Sequence, residues 1–182
     1  MRIRPLPLAG AALIESQPVL DDRGMFARLF CDDALAELLA GRTIRDINLS
    51  RCSTEGTLRG LHYQTGSSAE MKLVRCTAGS IFDVVVDMRP DSPTYMRWHG
   101  EVLSPRNLRM VVVPEYFAHG YQALEAGSEL LYAVTEKYAP EAELGVRWND
   151  PSVGIEWPRT VTEMSDKDRA IPLLPPSLAG NP

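Results

Sequence analysis

Apolar residues along this chain come in short runs, each closed by a cluster of turn-forming residues. Residues 80–88, SIFDVVVDM, are rich in β-branched side chains, with Gly79 before them and Arg89-Pro90 after. Residues 71–77 (MKLVRCT), 109–114 (RMVVVP) and 128–138 (SELLYAVTEKY) have the same character. Side chains of this kind fit a pleated, half-buried surface, so each run predicts a strand. RPDSPT, SPRN, EAGS and APEAE supply the turns between them. Many short strands at nearly even spacing predict an all-β protein, a sandwich or a barrel.

One segment follows the helical period instead. In residues 32–41, DDALAELLAG, aspartates open the run and Ala34, Leu35, Leu38 and Leu39 make one apolar stripe. Gly41 can end it, so a helix is predicted there. A shorter helical piece is expected near SDKDRAI, and the proline-rich end, PLLPPSLAGNP, is expected to be irregular.

Composition narrows the possibilities. With 182 residues, the chain has the length of one domain with a full core, and residues 1–182 are expected to form a single unit. A net charge of −5 argues against a broad nucleic-acid footprint, so a phosphate-bearing ligand needs a local cluster of cations. No apolar run reaches the length of a membrane span, and the basic, proline-interrupted start is read as mature chain. The three cysteines, Cys31, Cys52 and Cys76, form no C-x-x-C pair. Free thiols in the cytoplasm are the expectation, with no disulfide framework and no zinc site. There is no G-x-G-x-x-G after a strand and no P-loop, which argues against a Rossmann dehydrogenase or a P-loop enzyme.

The candidate chemistry starts at His62, one of three histidines, in the strand-like residues 57–64, TLRGLHYQ. Arg59 lies just before it, and Lys72 follows in KLVR. A cationic neighbourhood disfavours an imidazolium, so the setting favours a neutral ring able to accept a proton or bind a metal. Taken alone, such a histidine is more often structural than catalytic.

Six blocks together go further: DDRGMF (21–26), GTLRGLHYQ (56–64), residues 72–95, VPEYFAHGYQ (113–122), residues 138–158 and SDKDRAIP (165–172). In this order the chain resembles the nucleotide-diphospho-sugar 3,5-epimerases typified by dTDP-4-dehydrorhamnose 3,5-epimerase, a cupin-like family. The resemblance implies a jelly-roll and a homodimer with N-terminal residues donated across the interface. It also implies a nucleotide-diphospho-sugar substrate, a 4-keto-6-deoxyhexose, and no cofactor. The C4 ketone acidifies the neighbouring C3–H and C5–H, because the carbanion delocalises as an enolate. Such an enzyme needs a base on one face, an acid on the other, and a positive group for the enolate oxygen.

By the same resemblance, His62 is the base, Asp168 its dyad partner, Lys72 the group facing the C4 oxygen, and Tyr132 the acid on the opposite face. Substrate contacts fall to Arg23, Phe26, Arg28, Asn48, Arg59, Lys72, His119, Tyr138, Glu143 and Lys167. Arg59 and Lys72 would also keep His62 neutral until it acts. Metal-binding cupins supply a His-x-His pair, a glutamate and a later histidine. Here the pair reads His62-Tyr63-Gln64, Glu70 is loosely spaced and His119 comes last. That ligand set is thin for a metal, and none is expected.

The chain departs from the family pattern at the nucleotide end. Arg28 replaces a glutamate that would accept from thymine, and arginine has only donors. Asp46-Ile47-Asn48 stands for Gln-Asp-Asn, and Tyr116 for a glycine. These changes raise a shift in base preference, towards cytosine for instance, with retained chemistry; alternatively Arg28 faces solvent or a phosphate and thymine is still bound. A one-centre epimerase, a ketoisomerase, and a metal-dependent or non-catalytic ligand-binding cupin are the alternative functions.

Overall fold

The computed structural model describes residues 1–175. Among them the strands are β1 (Arg2–Pro5), β2 (Ala12–Glu15), β3 (Val19–Asp21), β4 (Gly24–Phe26), β5 (Asp46–Cys52), β6 (Leu58–Gln64), β7 (Lys72–Ala78), β8 (Ile81–Asp87), β9 (Trp98–Leu103), β10 (Arg109–Val113), β11 (Phe117–Ala123), β12 (Ser128–Val134) and β13 (Glu143–Gly145). Two short helices join them, α1 (Asp32–Leu39) and α2 (Asp166–Arg169). A six-stranded sheet in the order β1-β2-β10-β7-β12-β5 faces a five-stranded sheet in the order β13-β6-β11-β8-β9. Every pairing is antiparallel. This is the expected all-β jelly-roll sandwich with few helices.

Alternation along the strands builds three apolar layers. Leu13, Val74, Val111 and Leu130 point inward and meet Ile81, Val85, Phe117 and Tyr121 of the other sheet. The opposite positions of the six-stranded sheet, Ile14, Leu73, Met110 and Val112, pack under Leu35 and Leu39 of α1. On the outside of the five-stranded sheet, Val84, Val86 and Ala118 are covered by the C-terminal segment through Val146, Val153, Trp148 and Trp157. Both faces of β8 are thus covered, which explains its almost unbroken apolar run.

Two boundaries differ from the sequence expectation. The helix ends one residue early: Ala40 takes φ 47° and bonds Ala36 O, and Gly41 follows at φ 82°. The strand expected over 128–138 stops at Val134. There Thr135 exchanges hydrogen bonds with Met71, and Gln64 then captures Lys137 O and the Ala139 N–H. That capture pulls the chain across to β6 and presents Tyr138 to the interior mouth of the sandwich. The irregular tail is present over 173–175, and its remainder lies outside the described residues.

The β3–β4 hairpin pairs with neither main sheet. Its apolar side chains are bare, with Leu20 73% and Phe26 71% exposed.

Candidate active site

A bulge in β6 decides which side chains enter the sandwich. In a regular strand Arg59 and His62, three apart, would face opposite ways. Between the pairs His119↔His62 and Tyr121↔Arg59 the register shifts, so both project inward. Gly60 makes this possible with φ +109°; a Cβ there would lie 2.7 Å from both Gly120 Cα and His119 O. The opposing sheet contributes Lys72 from β7, Tyr132 from β12 and Asn48 from β5, and Tyr132 pairs with Val74 and Asn48.

These side chains line two chambers. The larger, about 820 Å³, is bordered by Arg59, His119, Lys167 and Asp168. The smaller, about 380 Å³, is bordered by Asn48, Glu70, Tyr138 and Glu143. His62, Lys72 and Tyr132 line both, and so mark the neck between them.

At the neck, His62 Nε2 lies 2.7 Å from Asp168 Oδ1. Asp168 is 3% exposed, and its Oδ2 accepts the Gly60 N–H at 3.0 Å. Ser165 caps α2 by accepting the Asp168 N–H at 3.1 Å, which fixes where this carboxylate stands. Burial pushes the Asp168 carboxyl up, but the bonds from His62 and Gly60 outweigh it and hold it below the usual carboxylate range. The tautomer that satisfies Asp168 carries its proton on Nε2, leaving Nδ1 as the free acceptor. Nδ1 is 3.9 Å from Glu143 Oε1. Carboxylates therefore face both ring nitrogens, and the expectation that Arg59 and Lys72 form the ring's charged surroundings is corrected. Lys72 Nζ reaches the His62 backbone, donating to its carbonyl oxygen at 3.3 Å, and not the ring.

The other cavity groups form tight pairs. His119 Nε2 lies 2.7 Å from Asp83 Oδ1, both buried. Glu143 accepts from Lys167 and, at 2.9 Å, from the Tyr138 hydroxyl. Burial raises the Glu143 carboxyl, and these partners pull it down further than burial lifts it. Lys72 Nζ is 3.1 Å from Glu70 Oε1. Tyr132 is raised above the usual phenol range, mainly by burial and then by Glu70, with Arg59 opposing.

The arrangement thus offers a base, an ammonium and a phenol around one constriction, with Arg59 and Lys167 as further cations beside the larger space. Proton transfer at carbon beside a carbonyl needs such a set. A profile of the dTDP-4-dehydrorhamnose 3,5-epimerase family matches residues 5–175.

The chain belongs to the dTDP-4-dehydrorhamnose 3,5-epimerase family. It is 43% identical to the dTDP-4-dehydrorhamnose 3,5-epimerase of Salmonella typhimurium over 91% of each chain. Among solved structures, that enzyme from Bacillus anthracis, with TDP and PPi bound, superposes at a TM-score of 0.91 with 39% identity. The match covers 95% of this chain and 99% of the other. A 3'-monoepimerase from Streptomyces bikiniensis, in complex with dTDP-quinovose, superposes at 0.86 with 29% identity, covering 93% and 86%.

Against this family background, three of the sequence-predicted residues stand apart. Arg23 and Phe26 sit on the exposed β3–β4 hairpin and Arg28 just after it; none lines either chamber. Arg23 bonds Asp21 at 2.5 Å, and Arg28 Nη1 approaches Cys31 Sγ at 3.8 Å. Conversely, Asp83 was not anticipated as a site residue, and Glu70 entered only as a loosely spaced metal ligand. A lone carboxylate inside the apolar run SIFDVVVDM was the available signal for Asp83, since a buried charge needs a partner.

Proposed function

We propose that this protein inverts C3 and C5 of a dTDP-linked 4-keto-6-deoxyhexose by proton exchange through an enolate, without a cofactor. His62 Nδ1 takes the proton from carbon while Asp168 holds the ring and balances the imidazolium charge. The Lys72 ammonium donates to the C4 oxygen as it gains charge, and the Tyr132 phenol returns a proton from the other face. Arg59, His119 and Lys167 supply polar and cationic partners for the diphosphate, and Tyr138 an aromatic face for base or sugar. One observation carries the reading: the 2.7 Å His62–Asp168 pair lies at the neck that Lys72 and Tyr132 also line.

Incubation with dTDP-4-keto-6-deoxyglucose in D₂O, followed by NMR of the sugar protons, tests it. Deuterium at both C3 and C5 is the expected result. Deuterium at one centre alone would favour the reading suggested by the structural likeness to a 3'-monoepimerase, and none at either would count against the function.

The donor set argues against the metal-cupin alternative. Each cavity histidine gives Nε2 to a carboxylate, and Glu70 is committed to Lys72. Metal analysis of purified protein checks this; stoichiometric iron, zinc or manganese would overturn it.

Thymine is the proposed base, since the relatives are named for dTDP-linked sugars. Titration with dTDP and CDP decides the point; tighter CDP binding would reverse it. A homodimer in which the hairpin reaches the partner's cavity would bring Arg23, Phe26 and Arg28 to substrate. Support comes from the bare apolar hairpin and from Ile47 and Leu49, 66% and 61% exposed on edge strand β5. Light scattering giving a monomer mass would refute it.

The proposed location is the cytoplasm, supported by three free cysteines. No helix among the described residues is long and apolar enough to cross a membrane. Recovery outside the cytosolic fraction would contradict this placement.

A further inference from the structure

Glu70 belongs to none of the roles assigned above, yet it stands against the ammonium of the neck and lines the same chamber as its phenol. Its Oε1 is 3.1 Å from Lys72 Nζ, and the two side chains are 10% and 11% exposed. The same ammonium donates to His62 O at 3.3 Å, so it is held between a carboxylate and the backbone of β6. Glu70 shares the smaller chamber with Lys72, Tyr132 and His62.

We propose that Glu70 is a positioning residue for the epimerisation, holding the Lys72 ammonium at the neck and setting a negative charge in the chamber that Lys72 shares with the Tyr132 phenol. The inference rests on the function proposed above. A buried ammonium without a carboxylate partner releases its proton more readily, and a phenol beside a carboxylate releases its own less readily. Glu70 therefore anchors one acid of the neck and disfavours ionisation of the other. For Tyr132 burial is the larger influence, Glu70 adds to it, and Arg59 opposes both.

The other charged or titratable groups bordering the smaller chamber, beside Lys72 and Tyr132, are His62 and Tyr63 from β6, Asp46 from β5, Tyr138, and Glu143 from β13. Glu143 is occupied by Lys167 and Tyr138, and Asp168 by His62 and Gly60. Glu70 is the carboxylate in contact with Lys72.

The test is Glu70→Gln, which keeps an acceptor for Lys72 Nζ and removes the charge. In the pH dependence of kcat for solvent deuterium exchange, the alkaline limb is expected to move down by about one pH unit. Glu70→Asp, which keeps the charge, should leave the limb in place. A limb that stays put in Glu70→Gln while the rate drops equally at every pH would make Glu70 merely structural and overturn the inference.

If Glu70→Gln is inactive, the tyrosinate absorbance of Tyr132, taken as the difference from the same variant carrying Tyr132→Phe, reads the phenol directly. Ionisation at lower pH supports the proposal, and unchanged ionisation overturns it. Failure of the underlying function would look different, because the unsubstituted protein would exchange no proton at all. The tyrosinate titration would still decide the role of Glu70.

Discussion

Asp168 Oδ1 stands 2.7 Å from His62 Nε2, although 106 positions separate the two residues along the chain. The bond joins β6 to α2 and fixes which ring nitrogen is free to act.

Removing the charge while keeping the shape should therefore disable the ring. In Asp168→Asn the amide can donate to Nε2, favouring the tautomer with its proton on Nδ1, the wrong nitrogen for abstraction. The expected loss is roughly 10²–10⁴-fold in kcat for deuterium exchange, with far-ultraviolet circular dichroism unchanged. A loss under threefold would mean that Asp168 does not set the tautomer.

The same carboxylate ties stability to acid. Asp168 titrates below its ordinary 3.8 and Glu143 below its ordinary 4.5 when folded. A group depressed on folding contributes stability above its unfolded value and loses it as pH falls through the folded one. Tm should thus be level above about pH 5 and fall progressively below pH 4. In Asp168→Asn the acid slope should be shallower. Equal slopes in the two proteins would show that the Asp168 bond contributes nothing to folding.

How much of this could be read from the chain depends on the physics of each feature. Residues 80–88 were legible because a strand covered on both faces must be apolar throughout. The end of β12 was not, because Gln64, buried and distant in sequence, dictates where the chain turns. The His62–Asp168 partnership came only from the likeness of SDKDRAIP to a family pattern; nothing local links residues 106 apart. Cations near His62 in sequence proved to be engaged by other partners: Arg59 donates to Arg51 O at 3.3 Å, and Lys72 pairs with Glu70.

Gly60 offers a test of that bulge. A methyl group there meets Gly120 Cα and His119 O at 2.7 Å, at a φ of +109° that other residues avoid. Gly60→Ala should cost at least about 2 kcal/mol in urea unfolding and lower exchange activity as Arg59 and His62 lose their shared face. Full stability and full activity would show that the bulge is dispensable.

Tyr116 makes the opposite case. It holds φ +63°, and its hydroxyl meets only Gly66 O, at 3.3 Å and exposed. Tyr116→Gly should stabilise the fold by about 1 kcal/mol in urea unfolding, as left-handed strain is relieved, with kcat unaltered. Destabilisation would show that the tyrosine ring packs more than it strains.

The most direct measurement is NMR of a dTDP-4-keto-6-deoxy sugar in D₂O with His62→Ala beside the unsubstituted protein. A single imidazole base serving both centres predicts that deuterium entry at C3 and at C5 falls together, by at least about 10²-fold, in a protein that remains folded. Entry continuing near the original rate at either carbon would contradict it and place the base on another residue.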